Sequence, residues 1–361
     1  MKKLFVVSDV HGHFKALNEA LEKAGFDPEN ENHLFISCGD LFDRGTENRA
    51  VYDFVNGLER KILIRGNHEA RLLEILENGQ IRPHDIVNGT DITIAEFFGH
   101  DSIDEIGCLK LTGWINREKT DRDISHFIGQ MLDYYETENY VFTHGWLPAD
   151  YDVYRRWLLP DWRHANASEW TKARYREWFR YYCTEAMLPG KTIVCGHRAS
   201  RFACKFDPTR SQDNTDIFFG NGVTAIDAHT AYSGRVNVLV LNEEIPDPVT
   251  HEMRLKKKQF EKMKVGEKTI EMRQLDAKRK SLSMGDRIRF LCAENPSDSI
   301  ETLVTGLYAY PNFDKLCEAF SSYELGFDDN SPRHISNYMK KLYSRRKSDM
   351  CQSIAIRVEK I

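Results

Sequence analysis

Short apolar runs alternate along the first half of the chain with polar loops that carry glycine. Leu4-Phe5-Val6-Val7, Leu34-Phe35-Ile36-Ser37, Lys61-Ile62-Leu63-Ile64, Tyr140-Val141-Phe142-Thr143 and Thr192-Ile193-Val194-Cys195 read as buried strands. Between the first three, the apolar period lengthens to that of a helix. Phe14, Leu17, Ala20, Leu21 and Ala24 share one face over residues 13–25, and Gly25 suits the stop. A second helix is expected from about 48 to 56. A third begins near His68, with Leu72, Leu73, Ile75 and Leu76 inward. This β-α-β-α-β order predicts parallel strands with right-handed crossovers. Residues 79–116 show no clear period. Ile124, Phe127, Ile128, Met131, Leu132 and Tyr135 form a helical stripe over 122–136 that core packing explains. Within an aromatic stretch, 150–190, Asn166 and Glu169 have capping-box spacing and open a helix through Trp170, Arg174 and Trp178. Residues 207–222 read as a surface loop, and 223–226 and 236–240 as two final strands.

The pattern then changes. Residues 242–248 are acidic, hold two prolines and read as a linker. Beyond them come a basic helix ending at 260–264 and alternating strands at 269–273 and 287–290. Two helices are expected near 313–320 and 335–343, then a closing strand at 354–358. A length of 361 residues favours two domains. They are placed at 1–242 and 250–361, with 243–249 between. The net charge of −5 hides an asymmetry: 22 Lys+Arg stand against 16 Asp+Glu from His251 onward, a net of +6 beside −11 for the rest. A basic segment can mark a nucleic-acid partner, but from charge alone a solvated basic surface is the preferred reading. Eight scattered cysteines with no C-x-x-C point to a reducing, cytoplasmic setting. The apolar run after Met1-Lys2-Lys3 is too short for a signal peptide, no span long enough for a membrane is read, and no membrane partner is expected.

The loops at the ends of these strands carry the chemistry. Asp9 and His11, Asp40, Asn67, His144 and His197 each stand just past a strand end, where open α/β sheets place ligands. Aspartate, histidine and asparagine without cysteine suit borderline to hard divalent ions. A carboxylate can bridge, so Asp9, His11 and Asp40 are assigned to one ion. Asp40, Asn67, His144 and His197 are assigned to the other. Two such ions roughly 3.5–4 Å apart can hold a hydroxide and clamp displacement at phosphorus. Arg44 is placed to meet phosphoryl oxygens. His68, oriented by Asp43, is the expected acid for the leaving oxygen. The lone histidines His33, His84, His100, His126 and His164 read as structural.

The motifs Asp9-x-His11-Gly12, Gly39-Asp40-x-x-Asp43-Arg44-Gly45, Gly66-Asn67-His68-Glu69, His144-Gly145 and Gly196-His197 resemble those of the calcineurin-like metallophosphoesterases, in the phosphoprotein-phosphatase branch with its bacterial and phage members. The resemblance covers about residues 1–242. It implies an α/β fold, an αββα sandwich, with two metal ions (manganese favoured over iron or zinc) on the six ligands above. It implies that His68 and Asp43 act as the acid pair, that Arg44 binds phosphate, and that Glu69 supports the site. A further phosphate-binding arginine is expected between the late histidines. Trp170-x-x-Ala173-Arg174 resembles that element, so Arg174 is chosen ahead of Arg155, Arg156 and Arg163. Asp227-Ala228-His229 departs from the family's Asp-x-Gly by placing histidine where glycine is usual.

Gly266-Glu267-Lys268-Thr269-Ile270-Glu271-Met272-Arg273 and Gly285-Asp286-x-Ile288-x-Phe290 resemble the ASCH domain over about 250–361. That implies a smaller α+β, PUA-like β-barrel with an RNA or nucleoside cleft near Lys268, Glu271 and Arg273. Outward residues of a solvated strand account for the same charges. The leading reading is a dinuclear-metal phosphoesterase hydrolysing phosphomonoesters, like the serine/threonine phosphatases, with a phosphoprotein, nucleotide or nucleic acid as substrate. The alternatives are a nucleotide or nucleic-acid phosphoesterase served by the basic module, and a non-catalytic RNA-binding protein.

Overall fold

Leu4, Phe5, Val6 and Val7 are fully buried, and a strand covered on both faces explains why this stretch is continuously apolar. It forms β1 (Lys2–Val7), which runs parallel to β2 (His33–Ser37); β2 in turn runs parallel to β3 (Lys61–Leu63). The computed structural model describes residues 1–99, 122–150, 158–182, 187–245, 247–328, 331–343 and 352–361. The crossover helices are α1 (Phe14–Ala24) and α2 (Asn48–Gly57), and α3 (Asn67–Asn78) comes after β3. Leu17, Leu21, Val51, Val55, Leu72 and Ile75 pack on Phe5, Val7 and Phe35 in one core. Gly25 closes α1 in the left-handed conformation, as its position suggests.

The second sheet has the order β4-β5-β6-β8-β7. Its strands are β4 (Tyr134–Glu136), β5 (Tyr140–Thr143), β6 (Thr192–Cys195), β7 (Phe218–Gly220) and β8 (Val223–Ala225). Here the expected helix over 122–136 is corrected. The helix is Arg122–Gly129, and Tyr135 lies in β4, paired with Phe142. Met131, Leu132 and Tyr135 satisfy a helical period, yet Leu132 bridges to Ile64 and Tyr135 lies in the strand, which the aromatic pair at 134–135 favours. The helix opened by Asn166 also stops early, at Arg174, and a short turn of helix, Trp178–Tyr181, comes next. The Asn166 cap itself is present, with Glu169 N–H donating to Asn166 Oδ1 at 3.1 Å. Part of the expected 207–222 loop is β7. The last strand of this region, β9 (Leu239–Glu243), starts three residues later than its apolar pattern and returns antiparallel to β1. It completes the order β3-β2-β1-β9.

The chain divides into two compact units. One takes Met1–Leu147 and Lys172–Pro246; the other takes Pro148–Asp150, Leu158–Thr171 and Asp247–Ile361. The second unit holds one mixed sheet ordered β10-β12-β13-β14-β11. The strands are β10 (Thr250–Leu255), β11 (Ile270–Gln274), β12 (Arg287–Cys292), β13 (Ser299–Tyr310) and β14 (Ser353–Lys360). Among the described residues no ladder joins β10 to β11. Helices Lys257–Lys264, Phe313–Ala319 and Pro332–Tyr343 accompany it. No helix among the described residues is long and apolar enough to cross a membrane.

The two sheets of the first unit share a buried carboxylate. Glu243, 3% exposed at the end of β9, accepts the Asn139 backbone N–H at 3.0 Å and its side-chain amide at 3.1 Å, just before β5. Glu243→Ala removes these hydrogen bonds to a buried carboxylate and is expected to lower unfolding free energy by about 1–3 kcal/mol in a denaturant titration. Glu244→Ala, at a residue whose side chain is 74% exposed, serves as the near-silent control.

Candidate metal centre

The loops after β1, β2, β3, β5 and β6 are laced together by their backbones. Asp9 N–H donates to Gly39 O at 3.0 Å, His11 N–H to Asp40 O at 3.0 Å, and Gly196 N–H to His144 O at 2.8 Å. The Glu69 carboxylate, fully buried in α3, accepts the N–H groups of Asp40, Leu41 and Gly66 at 2.9, 2.7 and 2.9 Å. Burial pushes Glu69 up to about 7, and those N–H groups pull the other way. Close approach leaves room only for glycine at several positions of these loops, Gly66 and Gly196 among them. A Cβ on Gly66 would overlap Asp40 Oδ1, and one on Gly196 would overlap Ser8 Oγ and Asp9 Oδ2. Among the described residues, the non-glycine residues with positive φ are Asp9, His11, Asp40, Asp43, Arg44, His197 and His229. All seven lie on these loops or at the cavity beside them.

The side chains so placed converge. His11 Nε2 is 3.8 Å from Asp9 Oδ1 and 3.9 Å from Asp40 Oδ2, and His144 Nε2 is 3.3 Å from Asp40 Oδ2 and 2.9 Å from Asn67 Oδ1. His197 donates its backbone N–H to Asp9 Oδ2 at 2.9 Å. Donor atoms of Asp40, His144 and His197 lie within 4.8 Å of one another, as do those of His11, Asp40 and His68, so Asp40 belongs to both groups. Behind each of two imidazoles stands a main-chain acceptor: His11 Nδ1 is 3.1 Å from Phe42 O, and His144 Nδ1 is 2.8 Å from Cys38 O. Those carbonyls claim the Nδ1 hydrogens and turn the Nε2 lone pairs toward carboxylate and amide oxygens. Lone pairs facing lone pairs call for a cation between them, and the oxygen and nitrogen donors fit a divalent metal. Without an ion, Asp40 holds a proton on His144 in its place. Burial lifts Asp9 to about 6, and burial with the His144 charge brings His197 down to about 3. Burial opposes charge on His144 as well, yet Asp40 raises it to about 9.

His68 Nδ1 is 2.6 Å from Asp43 Oδ2, and its Nε2 is 3.9 Å from Asp40 Oδ2. Burial works against its charge, but Asp40 and the Asp43 hydrogen bond raise it to about 9. Asp43 is itself held by the hydroxyls of Thr90 and Thr93, each at 2.7 Å, and its N–H donates to Asn48 Oδ1 at 2.9 Å. Thr90 and Thr93 sit in a helix, Thr90–Phe97, inside the stretch that has no readable period, so nothing in the sequence marks them.

Beside the cluster lies a cavity of about 100 Å³ whose walls include Arg44, Arg198, Arg201, Asp227 and His229. Arg174 is not among them. Its guanidinium is buried and taken by Asp133. Arg163 lies over the Trp162 ring at 4.3 Å, and Arg155 and Arg156 fall outside the described residues. Arg198 stands next to a candidate ligand in the chain, a signal the sequence offers; Arg201 is brought in only by the fold.

In the second unit Lys268, Glu271 and Arg273 do come together. Lys268 Nζ is 3.2 Å from Glu271 and donates to Leu325 O at 3.1 Å and to Ile270 O; Arg273 pairs with the same glutamate. Burial lowers Lys268, with Glu271 opposing. All three line a cavity of about 270 Å³ that Arg254, Lys256, Phe327 and Tyr338 also border.

Comparison with known proteins adds relatives. Serine/threonine-protein phosphatase 2 of Escherichia coli (strain K12) is 37% identical over 78 residues, covering 22% of this chain and 34% of that protein. A symmetrical bis(5'-nucleosyl)-tetraphosphatase of Glaesserella parasuis is 36% identical over 86 residues, 23% of this chain and 31% of that protein. The chain thus spans about a third of the length of these curated relatives. Among solved structures, a cold-active protein tyrosine phosphatase is 16% identical over 67% of this chain and 74% of its own, with a TM-score of 0.39. The ZmASCH protein from Zymomonas mobilis is 13% identical over 32% of this chain and 70% of its own, with a TM-score of 0.24. The family described as calcineurin-like phosphoesterase matches residues 2–230, a span that holds every loop contributing to the cluster, and the chain belongs to that family.

Proposed function

We propose that the protein is a metal-dependent phosphoesterase that hydrolyses phosphomonoesters. The observation that carries this reading is the pair of imidazoles, His11 and His144, pinned from behind by main-chain carbonyls and turned onto the oxygens of Asp9, Asp40 and Asn67. On this reading Asp9, His11 and Asp40 hold one divalent ion, and Asp40, Asn67, His144 and His197 hold a second, manganese being favoured. Bound there, such ions would activate water and offset charge on the phosphoryl group. The chain's own groups do the rest. Arg44 meets the phosphoryl oxygens. His68, held in one orientation by Asp43, gives its proton from Nε2 to the departing oxygen, and Thr90 and Thr93 keep Asp43 an acceptor.

A second reading, a nucleotide or nucleic-acid phosphoesterase, draws support from the cavity of the second unit. Its cationic rim of Arg254 and Lys256 beside Tyr338 suits an anionic ligand with a planar ring, as an ASCH-like module binding RNA or a nucleoside would require. Lys268 is a weaker candidate for contact than its motif implies, because its ammonium is already engaged by Glu271, Ile270 O and Leu325 O.

Asp40→Asn is expected to empty both ion positions and to reduce turnover of para-nitrophenyl phosphate far more than Asp43→Asn, which keeps its metal. Metal analysis and rate assays on the two variants check this, and full metal content in Asp40→Asn would sink the bridging role. His68→Ala is expected to slow turnover by roughly 10²–10⁴-fold with metal content near normal. The loss is larger for an alkyl phosphate than for para-nitrophenyl phosphate, whose leaving group needs little protonation; equal losses would remove His68 as the acid. For the second unit, RNA bound to the full chain is expected to dissociate as salt rises, and Arg254→Ala to weaken it without slowing ester hydrolysis. An absence of RNA binding at low salt in a filter-binding titration would leave the second reading without its partner.

A further inference from the structure

His229 holds a backbone conformation that glycine would hold without steric conflict. Its φ is 57° and its ψ 49°. Burial does not offset that strain. The imidazole is half-buried, and the Tyr232 ring on which it lies, 5.3 Å away and tilted by 16°, is 84% exposed. Core packing therefore gives no reason for the ring to be there. The ring lines the cavity that also receives Arg44 and Arg201, and among the described residues neither guanidinium has an acidic partner. Burial, then Arg201 and Arg44, lower the imidazole, so it is a neutral flat ring at neutral pH. A neutral ring braced by a phenol, beside two free guanidiniums, matches a ligand that carries a planar group next to a phosphoryl group.

We propose that His229, backed by Tyr232, determines specificity by stacking on a planar aromatic ring of the substrate while Arg44 and Arg201 hold its phosphoryl oxygens. This rests on the phosphoesterase reading for the identity of the substrate, and it goes beyond that reading by naming the part of the ester that is selected. A nucleoside monophosphate and an aryl phosphate share this chemistry.

The test is calorimetric binding of adenosine 5'-monophosphate, phenyl phosphate and glycerol 2-phosphate to the full chain stripped of metal, so that no turnover intervenes. His229→Asn removes the ring and keeps a residue that tolerates the left-handed region. Tyr232→Ala removes the brace at an exposed position. Thermal melts confirm that both variants fold. Each variant is expected to weaken the ring-bearing esters about tenfold more than glycerol 2-phosphate, the size of one ring stack. Selective loss of adenosine 5'-monophosphate assigns the nucleobase, and selective loss of phenyl phosphate assigns the aryl ester. Equal losses on all three, or no preference of the unmodified chain for a ring, overturn the proposal. Turnover of the same esters by the metal-loaded chain is scored separately. Ring-dependent binding without turnover removes the activity and keeps the platform; turnover without ring-dependent binding does the reverse.

Discussion

A carboxylate taken out of water must be surrounded by donors and positive charge, and Asp40, 2% exposed, is the carboxylate around which the first unit is arranged. Its Oδ1 accepts the His68 N–H at 3.0 Å, while His144, His11 and His68 stand 3.3 to 3.9 Å from Oδ2. Burial alone would raise this acid; the imidazoles of His144 and His68 hold it well below the usual range. Those partners come from the loops after β1, β3 and β5. Both sheets must therefore end at one place, and Glu69 holds the Asp40 and Gly66 backbones together there.

The arrangement carries strain. Asp9, His11, Asp40, Asp43, Arg44 and His197 all adopt positive φ, a conformation that disfavours side chains and persists only where the surroundings over-determine it. Here the surroundings are main-chain bonds between loops, a buried glutamate and glycines with no room for a methyl group. Such a site favours pre-organisation over stability. The donors already stand close together, so binding an ion requires little rearrangement.

Most of this was legible in the sequence, for a physical reason. A ligand at a strand end leaves a local mark, an apolar run and then Asp, Asn or His beside glycine, and five such marks recur. Residues that only tertiary structure brings together left no mark. Thr90 and Thr93 reach Asp43 across almost fifty residues, Arg201 enters the cavity from a short helical turn, and Asp133 takes the guanidinium of Arg174. In the fold, the deceptive stretch is 131–136, where two periods coincide. The long strand β13 is hidden because a register shift between Val304 and Gly306 breaks its alternation. β10, with a partly exposed pattern on the sheet's edge, lacks the apolar face that marks a strand.

The return of β9 to β1 has a consequence for how the molecule is made. Lys2 pairs with Glu243 and Val6 with Leu239, so the first strand is flanked on one side by residues synthesised more than two hundred positions later. Closing so large a loop is slow, since its entropy must be lost before the pairing compensates. Until then β1, which leads into Asp9 and His11, presents an open edge ready to pair with any extended chain nearby. Nascent chains shorter than about 240 residues thus hold the first loops of the centre on a strand with one side bare. The interval between translating β1 and translating β9 is the period in which this protein is most exposed to misassembly.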